Sequence, residues 1–201
     1  GIEPHLRIAL SKQIPHGAGL GGGSSDAATV LLALNGIFET LLSRETLAAM
    51  AAELGSDIPF FIYQSAALCR GRGEAVIPEP FPHRLPLLLI KPPFGVPTPW
   101  AYKQWRDSIE LPGISYAPQT LEWGTLVNDL ERPVFEIYLF LAELKRWLLE
   151  QPEVDAALMS GSGSTVFAVL KSHEAGMPLG DRLAQQFGTN LWVYLCETIA
   201  G

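Results

Sequence analysis

The stretch Ile14-Pro15-His16-Gly17-Ala18-Gly19-Leu20-Gly21-Gly22-Gly23-Ser24-Ser25-Asp26-Ala27-Ala28 brings together residue types that suit phosphate chemistry. Five glycines fall within residues 17–23. Glycine lets the backbone take φ > 0 and lets a ligand come close to the chain. Ser24 and Ser25 can cap the helix that the apolar run over residues 27–34 would form. The unpaired N–H groups of a first helical turn, with the helix dipole behind them, attract anions. The segment therefore predicts a phosphate cradle in a nucleotide-using enzyme, and a side chain added at Gly21 is expected to meet the phosphates. A second candidate is Asp57, in Gly55-Ser56-Asp57-Ile58-Pro59-Phe60-Phe61. A carboxylate among apolar neighbours must be hydrogen-bonded or functional. It suits either an N-cap for a helix starting at Pro59 or a base acting on an attacking hydroxyl. A second glycine loop, Gly161-Ser162-Gly163, separates two apolar runs. It suits either a tight hairpin turn or another wall of the site, and it does not meet the Gly-x-Ser-x-Gly pattern of a hydrolase elbow.

Three kinds of glycine loop compete for residues 14–28. A P-loop needs Gly-x-x-x-x-Gly-Lys-[Ser/Thr]; Gly17 and Gly22 have the spacing, but Gly23 stands where lysine is required. Gly17-x-Gly19-x-x-Gly22 satisfies the dinucleotide fingerprint, and Glu39 lies at a suitable distance. That fingerprint wants a strand running straight into the first glycine. Here the candidate strand, residues 6–10, is separated from Gly17 by Ser11-Lys12-Gln13-Ile14-Pro15-His16.

The third kind fits. Pro15 to Ser25 resembles the second motif of the small-molecule kinases related to galactokinase, homoserine kinase and mevalonate kinase, the GHMP superfamily. The longer Gly-Leu-Gly-Gly-Gly-Ser-Ser-Asp-Ala-Ala form resembles one branch, the 4-diphosphocytidyl-2-C-methyl-D-erythritol kinases. Gly55-Ser56-Asp57-Ile58-Pro59-Phe60-Phe61, Pro97-Thr98-Pro99 and Asn128-Asp129-Leu130-Glu131 resemble further elements of that branch. Gly161-Ser162-Gly163-Ser164-Thr165-Val166-Phe167 resembles the third superfamily motif. The matches follow the family's order from residue 12 to residue 167.

The resemblance implies ATP-dependent phosphorylation of a hydroxyl on a small molecule in isoprenoid precursor synthesis. Pro15, His16, Gly17, Ala18, Gly19, Leu20, Gly21, Gly22, Gly23, Ser24 and Ser25 would hold ATP. Ser25 could also reach Mg²⁺; the alternative for both serines is a capping role alone. Asp57 would be the catalytic base. Thr98, Tyr102 and Arg72 would face the substrate, with Tyr102 stacking on a cytosine ring or, alternatively, packing in a helix core. Gly161, Ser162 and Gly163 would close the phosphate side. Another kinase of the superfamily, and a nucleotide-binding protein without turnover, stay open. The family's Pro-Ala-Lys-x-Asn motif, which supplies a lysine, has no counterpart before residue 12. The chain thus reads as a fragment. It is expected to be silent alone and to associate with a second chain carrying the missing segment or with copies of itself.

These groups need elements to position them. Residues 6–10 read as a strand, 25–34 as a helix stopped by Asn35-Gly36, and 44–54 as a helix capped by Ser43 and ended by Gly55. Residues 66–70 and 75–77 read as a strand pair around Gly71-Arg72-Gly73-Glu74. Pro78-Glu79-Pro80-Phe81-Pro82 marks a boundary between residues 1–84 and 85–201. Beyond it, 85–90 reads as a buried strand and 98–105 as a short helix capped by Thr98. Residues 111–118 read as irregular and 133–149 as one long helix. Residues 155–160 and 165–170 read as strands, 181–187 as a helix and 192–197 as a last strand. The second half has the strand–helix–strand–strand–helix–strand order of a ferredoxin-like sandwich. The fold class is α+β: part of a ribosomal-protein-S5-like domain, then a ferredoxin-like domain.

Composition agrees. The chain has 201 residues, 48% of them hydrophobic, enough for a sizeable core. A net charge of −7 with no basic face argues against a nucleic-acid partner. Cys69 and Cys196 form neither a disulfide framework nor a metal pattern, so a reducing, cytoplasmic setting is expected. No apolar run reaches the ~18 residues of a membrane span.

Overall fold

The computed structural model describes residues 5–199. Helices α1 (Gly22–Ile37), α2 (Arg44–Leu54) and α3 (Ile58–Tyr63) bury Ala28, Leu47, Ala51, Ile58 and Ile62 against one another. Ser43 caps α2: its Oγ accepts the Thr46 N–H at 3.2 Å. Gln64, at φ 54°, ends α3. Strands β1 (Ala67–Arg70) and β2 (Ala75–Pro78) follow as an antiparallel pair.

The second half holds β3 (Pro86–Lys91), α4 (Thr98–Gln104), β4 (Gln119–Leu121), β5 (Gly124–Leu126), α5 (Glu131–Ile137), α6 (Leu139–Leu149), β6 (Val154–Met159), β7 (Val166–Leu170), α7 (Gly176–Phe187) and β8 (Trp192–Glu197). Its four-stranded sheet runs β6-β7-β3-β8, antiparallel at every pairing. With α4 to α6 joining β3 to β6, and α7 joining β7 to β8, this is the ferredoxin-like arrangement that the element order predicts. On α6, Leu141, Leu144, Lys145 and Leu148 recur at helical spacing and are buried. The three leucines join Leu88, Ile90, Val166, Ala168, Leu179 and Leu183 in the larger of two core clusters.

Four expectations change. Residues 6–10 take no regular structure and are exposed. A strand must pair its backbone groups, and no partner stands beside them among the described residues. α1 begins three residues before Ser25 and runs through Asn35-Gly36 to Ile37. The long helix over 133–149 is two helices, broken at Tyr138, whose ψ of 63° is not helical. Phe94 stacks on that Tyr138 ring at 5.4 Å and Trp100 meets it edge-on. Finally, Pro97 rather than Thr98 occupies the N-cap of α4, and the hydroxyl of Thr98 is engaged elsewhere.

Candidate active site

The two glycine loops lie against each other. Thr165 N–H donates to Ala18 O at 3.1 Å, Ser164 N–H to Gly17 O at 3.4 Å and Ser160 Oγ to Gly19 O at 2.8 Å. A Cβ on Gly19 would stand 2.2 Å from Ser160 O, so only glycine permits this approach. Of the two readings of Gly161-Ser162-Gly163, the loop is thus both a turn between β6 and β7 and a wall beside the first loop.

Between them opens a cavity of about 700 Å³. It is lined by Pro15, His16, Gly17, Ala18, Gly19, Leu20, Gly21, Gly22, Gly23 and Ser24 from the first loop, and by Gly161 and Ser162 from the second. Asp57, Thr98 and Tyr102 also line it, as do Lys12 and Ile14 from the segment before the loop. Gly21, at φ 65°, is the N-cap of α1 and gives no side-chain cap. Ser25 N–H donates to Gly21 O at 2.8 Å, but no protein acceptor meets the N–H groups of Gly22, Gly23 or Ser24 among the described residues. Such orphan donors at a helix start fit an anionic group. Ser25 and Gly163 do not line the cavity; Asp26 does, and it pairs with Lys12. Arg72 is exposed, apart from the cavity, with its N–H on Glu74 Oε2 at 2.7 Å.

Asp57 is not enclosed by its apolar neighbours. It is exposed at the N-terminus of α3, makes no side-chain cap bond and accepts only from Ser56 Oγ at 3.3 Å. The neighbouring Ile58 and Pro59 turn into the core of the three helices and leave the carboxylate outside. Asp57 also faces an adjoining recess of about 340 Å³ with Phe60, Phe61, Cys69, Gly73 and Ser160. Burial, then the Asp57 charge, pushes the Cys69 thiol up from its ordinary range. Thr98 Oγ1 lies 2.8 Å from Ser162 Oγ, tying the start of α4 to the second loop, and Tyr102 stands exposed one turn on. Sequence reasoning passed over Ser160 as a site residue and gave Asn128 no function. Asn128 Nδ2 donates to Met159 O and Gly161 O, each at 2.7 Å.

Family models match both halves: GHMP kinases N terminal domain over residues 1–65 and GHMP kinases C terminal over residues 117–188. The 4-diphosphocytidyl-2-C-methyl-D-erythritol kinase of Methylacidiphilum infernorum is 43% identical over 99% of this chain and 70% of its own length. The chain belongs to the GHMP kinases, in the 4-diphosphocytidyl-2-C-methyl-D-erythritol kinase family. The kinase of that name from Thermodesulfovibrio yellowstonii is 40% identical over 99% of this chain and 72% of its own length. A solved 4-(cytidine 5'-diphospho)-2C-methyl-D-erythritol kinase superposes with a TM-score of 0.72 at 33% identity, over 92% of this chain and 68% of that one. In this GHMP kinase, motifs two and three of the superfamily are the two loops that meet at the cavity.

Proposed function

We propose that this protein transfers the γ-phosphoryl group of ATP to a hydroxyl of 4-diphosphocytidyl-2-C-methyl-D-erythritol. One observation carries the reading. The glycine loop with its free N–H groups, Asp57 and Tyr102 all face a single cavity. Phosphoryl transfer is mainly positioning and charge stabilisation. The amides of residues 22–24 hold the triphosphate, and Ser162 and Gly161 close its far side. Asp57 takes the proton of the attacking hydroxyl, and its exposure leaves room for that hydroxyl to reach it. Tyr102 presents a ring for the cytosine. Arg72 stands outside this cavity and takes no part in this reading.

Mg²⁺ bound with the triphosphate would neutralise its charge and would need few protein oxygens. The described residues offer no cluster of three or more His, Cys, Asp or Glu for a metal. The oxygen-bearing side chains in the first turn of α1 are Ser24 and Ser25, and Asp26 follows just beyond it. We assign residues 1–84 and 85–201 to the two domains of the fold and place the protein in the cytoplasm. No helix among the described residues is long and apolar enough to cross a membrane. We expect the exposed apolar groove lined by Leu31, Phe38, Leu42 and Met50 to support association with a second copy or with a separate chain.

The test is ADP release with the cytidine-diphosphate substrate present or absent, for the chain supplied with the family's Pro-Ala-Lys-x-Asn segment and for the same chain carrying Asp57→Asn. Substrate-dependent release is expected, falling ~10²-fold or more in the variant with little change in ATP affinity. Release that is indifferent to that substrate overturns the substrate assignment. A variant with near-normal turnover moves the base elsewhere.

A further inference from the structure

Beneath the second glycine loop lies an ionic cluster that touches neither cavity. Glu131 and Lys145 are each 1% exposed. Lys145 Nζ donates to Glu131 Oε2 at 2.5 Å and to Ser115 O at 2.7 Å. Glu131 Oε1 accepts the Met159 N–H at 2.8 Å. Burial pushes the Glu131 carboxyl up, and the Lys145 ammonium opposes that. A buried pair of this kind is a poor stabiliser, because desolvation offsets its attraction, and it is costly to break. An apolar pair would fill the space but could not receive the Met159 N–H.

The cluster's bonds converge on one short segment. Glu131 holds the N–H of Met159, and Asn128 holds the carbonyls of Met159 and Gly161. Asn128 Oδ1 accepts Leu130 N–H at 3.0 Å, which fixes the side-chain amide with its two donors toward the loop. The next contacts outward are those of the site itself: Ser160 Oγ on Gly19 O, and Ser162 Oγ beside Thr98 Oγ1. Satisfied polar networks of this sort define a single arrangement of the backbone they hold.

We propose that Asn128, backed by the Glu131–Lys145 pair, is a positioning residue for the nucleotide site. It holds residues 159–161 where they grip the first glycine loop, and so sets the geometry of the phosphate cradle. The proposal rests on the reading of residues 17–25 as that cradle.

Asn128→Asp keeps the volume and the acceptor for Leu130 but puts one oxygen, in place of the donating nitrogen, against two carbonyls. Two readouts are taken together: the Kd for ATP and amide hydrogen exchange along the chain. ATP is expected to bind at least tenfold more weakly, with exchange faster at residues 17–21 and 160–163 and unchanged in β3 and α6. Equal affinity and unchanged exchange at 17–21 overturn the proposal. Faster exchange throughout β3 and α6 also overturns it, since the role is then merely structural. If the wild type binds no ATP, the cradle reading falls, while the exchange data still judge the coupling between the loops. If Asn128→Asp does not fold, Ser160→Ala cuts the same chain of contacts one step nearer the site and must show the same local loosening.

Discussion

Gly21 and Gly23 sit two residues apart in one loop, yet a side chain at each would meet different things. At Gly21 an added Cβ would lie 2.6 Å from the Phe61 ring, and the backbone is at φ 65°. Gly21→Val therefore strikes Phe61 first and strains the chain, rather than meeting the phosphates as the sequence suggests. At Gly23 an added Cβ meets nothing within 4 Å, and the residue faces the cavity. Gly23→Val should fold normally and occupy the space of the phosphates. ATP affinity is expected to drop at least tenfold, about 1.4 kcal/mol, by calorimetry. Unchanged affinity would place the triphosphate elsewhere. The loop was legible in the sequence because glycine spacing and helix starts are local signals. Asn128 and Ser160 were not, because their importance lies in contacts with residues about 30 and 140 positions away. Asp57 was found on a premise of enclosure that the fold does not bear out, since Ile58 and Pro59 take the inward positions beside it.

Elements with their own start and stop signals came through intact. For α2, Ser43 at the cap and Gly55 past the end bound a helix of Arg44–Leu54. Ser43→Ala removes the acceptor for Thr46 N–H and should cost about 1 kcal/mol in urea unfolding, with ATP affinity unchanged. No measurable loss would mean that tertiary packing alone holds α2. Elements set by distant contacts were missed. The break between α5 and α6 carries no proline or glycine; Tyr138 leaves the helix where Phe94 and Trp100 pack on its ring. The β4–β5 hairpin is anchored by Gln119, which exchanges bonds of 2.8 and 3.0 Å with the backbone of Ala157. No pattern within residues 111–126 announces that pairing. The run over 6–10 has strand-like residues but lacks a ladder, which shows that composition proposes a strand and pairing decides it.

At the scale of the molecule, two cores meet through loops. The strand order of the second half was legible from element order; association through apolar surface of the first half was also expected, but not which residues would form that surface. Leu31, Leu34, Phe38, Leu42, Leu47 and Met50, with Leu6, line a groove of about 250 Å³ in which Asn35 and Thr40 are the polar residues. Met50 is 44% exposed and nearby Leu54 67%. Apolar surface gathered in one patch favours association, because each Å² removed from water contributes roughly 25 cal/mol. The groove lies toward the C-terminal end of α1, and the phosphate loop lies at its start. At about 1.5 Å per residue, Leu31 and Leu34 of the groove stand roughly 14 to 18 Å along α1 from Gly22 at its start. Association through the groove can therefore be removed without touching the site. Light scattering on the 201-residue chain is expected to show a mass that rises with concentration. Met50→Glu should lower it toward the monomer while the Kd for ATP stays the same. A wild-type chain that remains monomeric at high concentration would show that the groove needs no cover. A variant that dissociates and also loses ATP would show that the groove and the cradle are coupled through α1 after all.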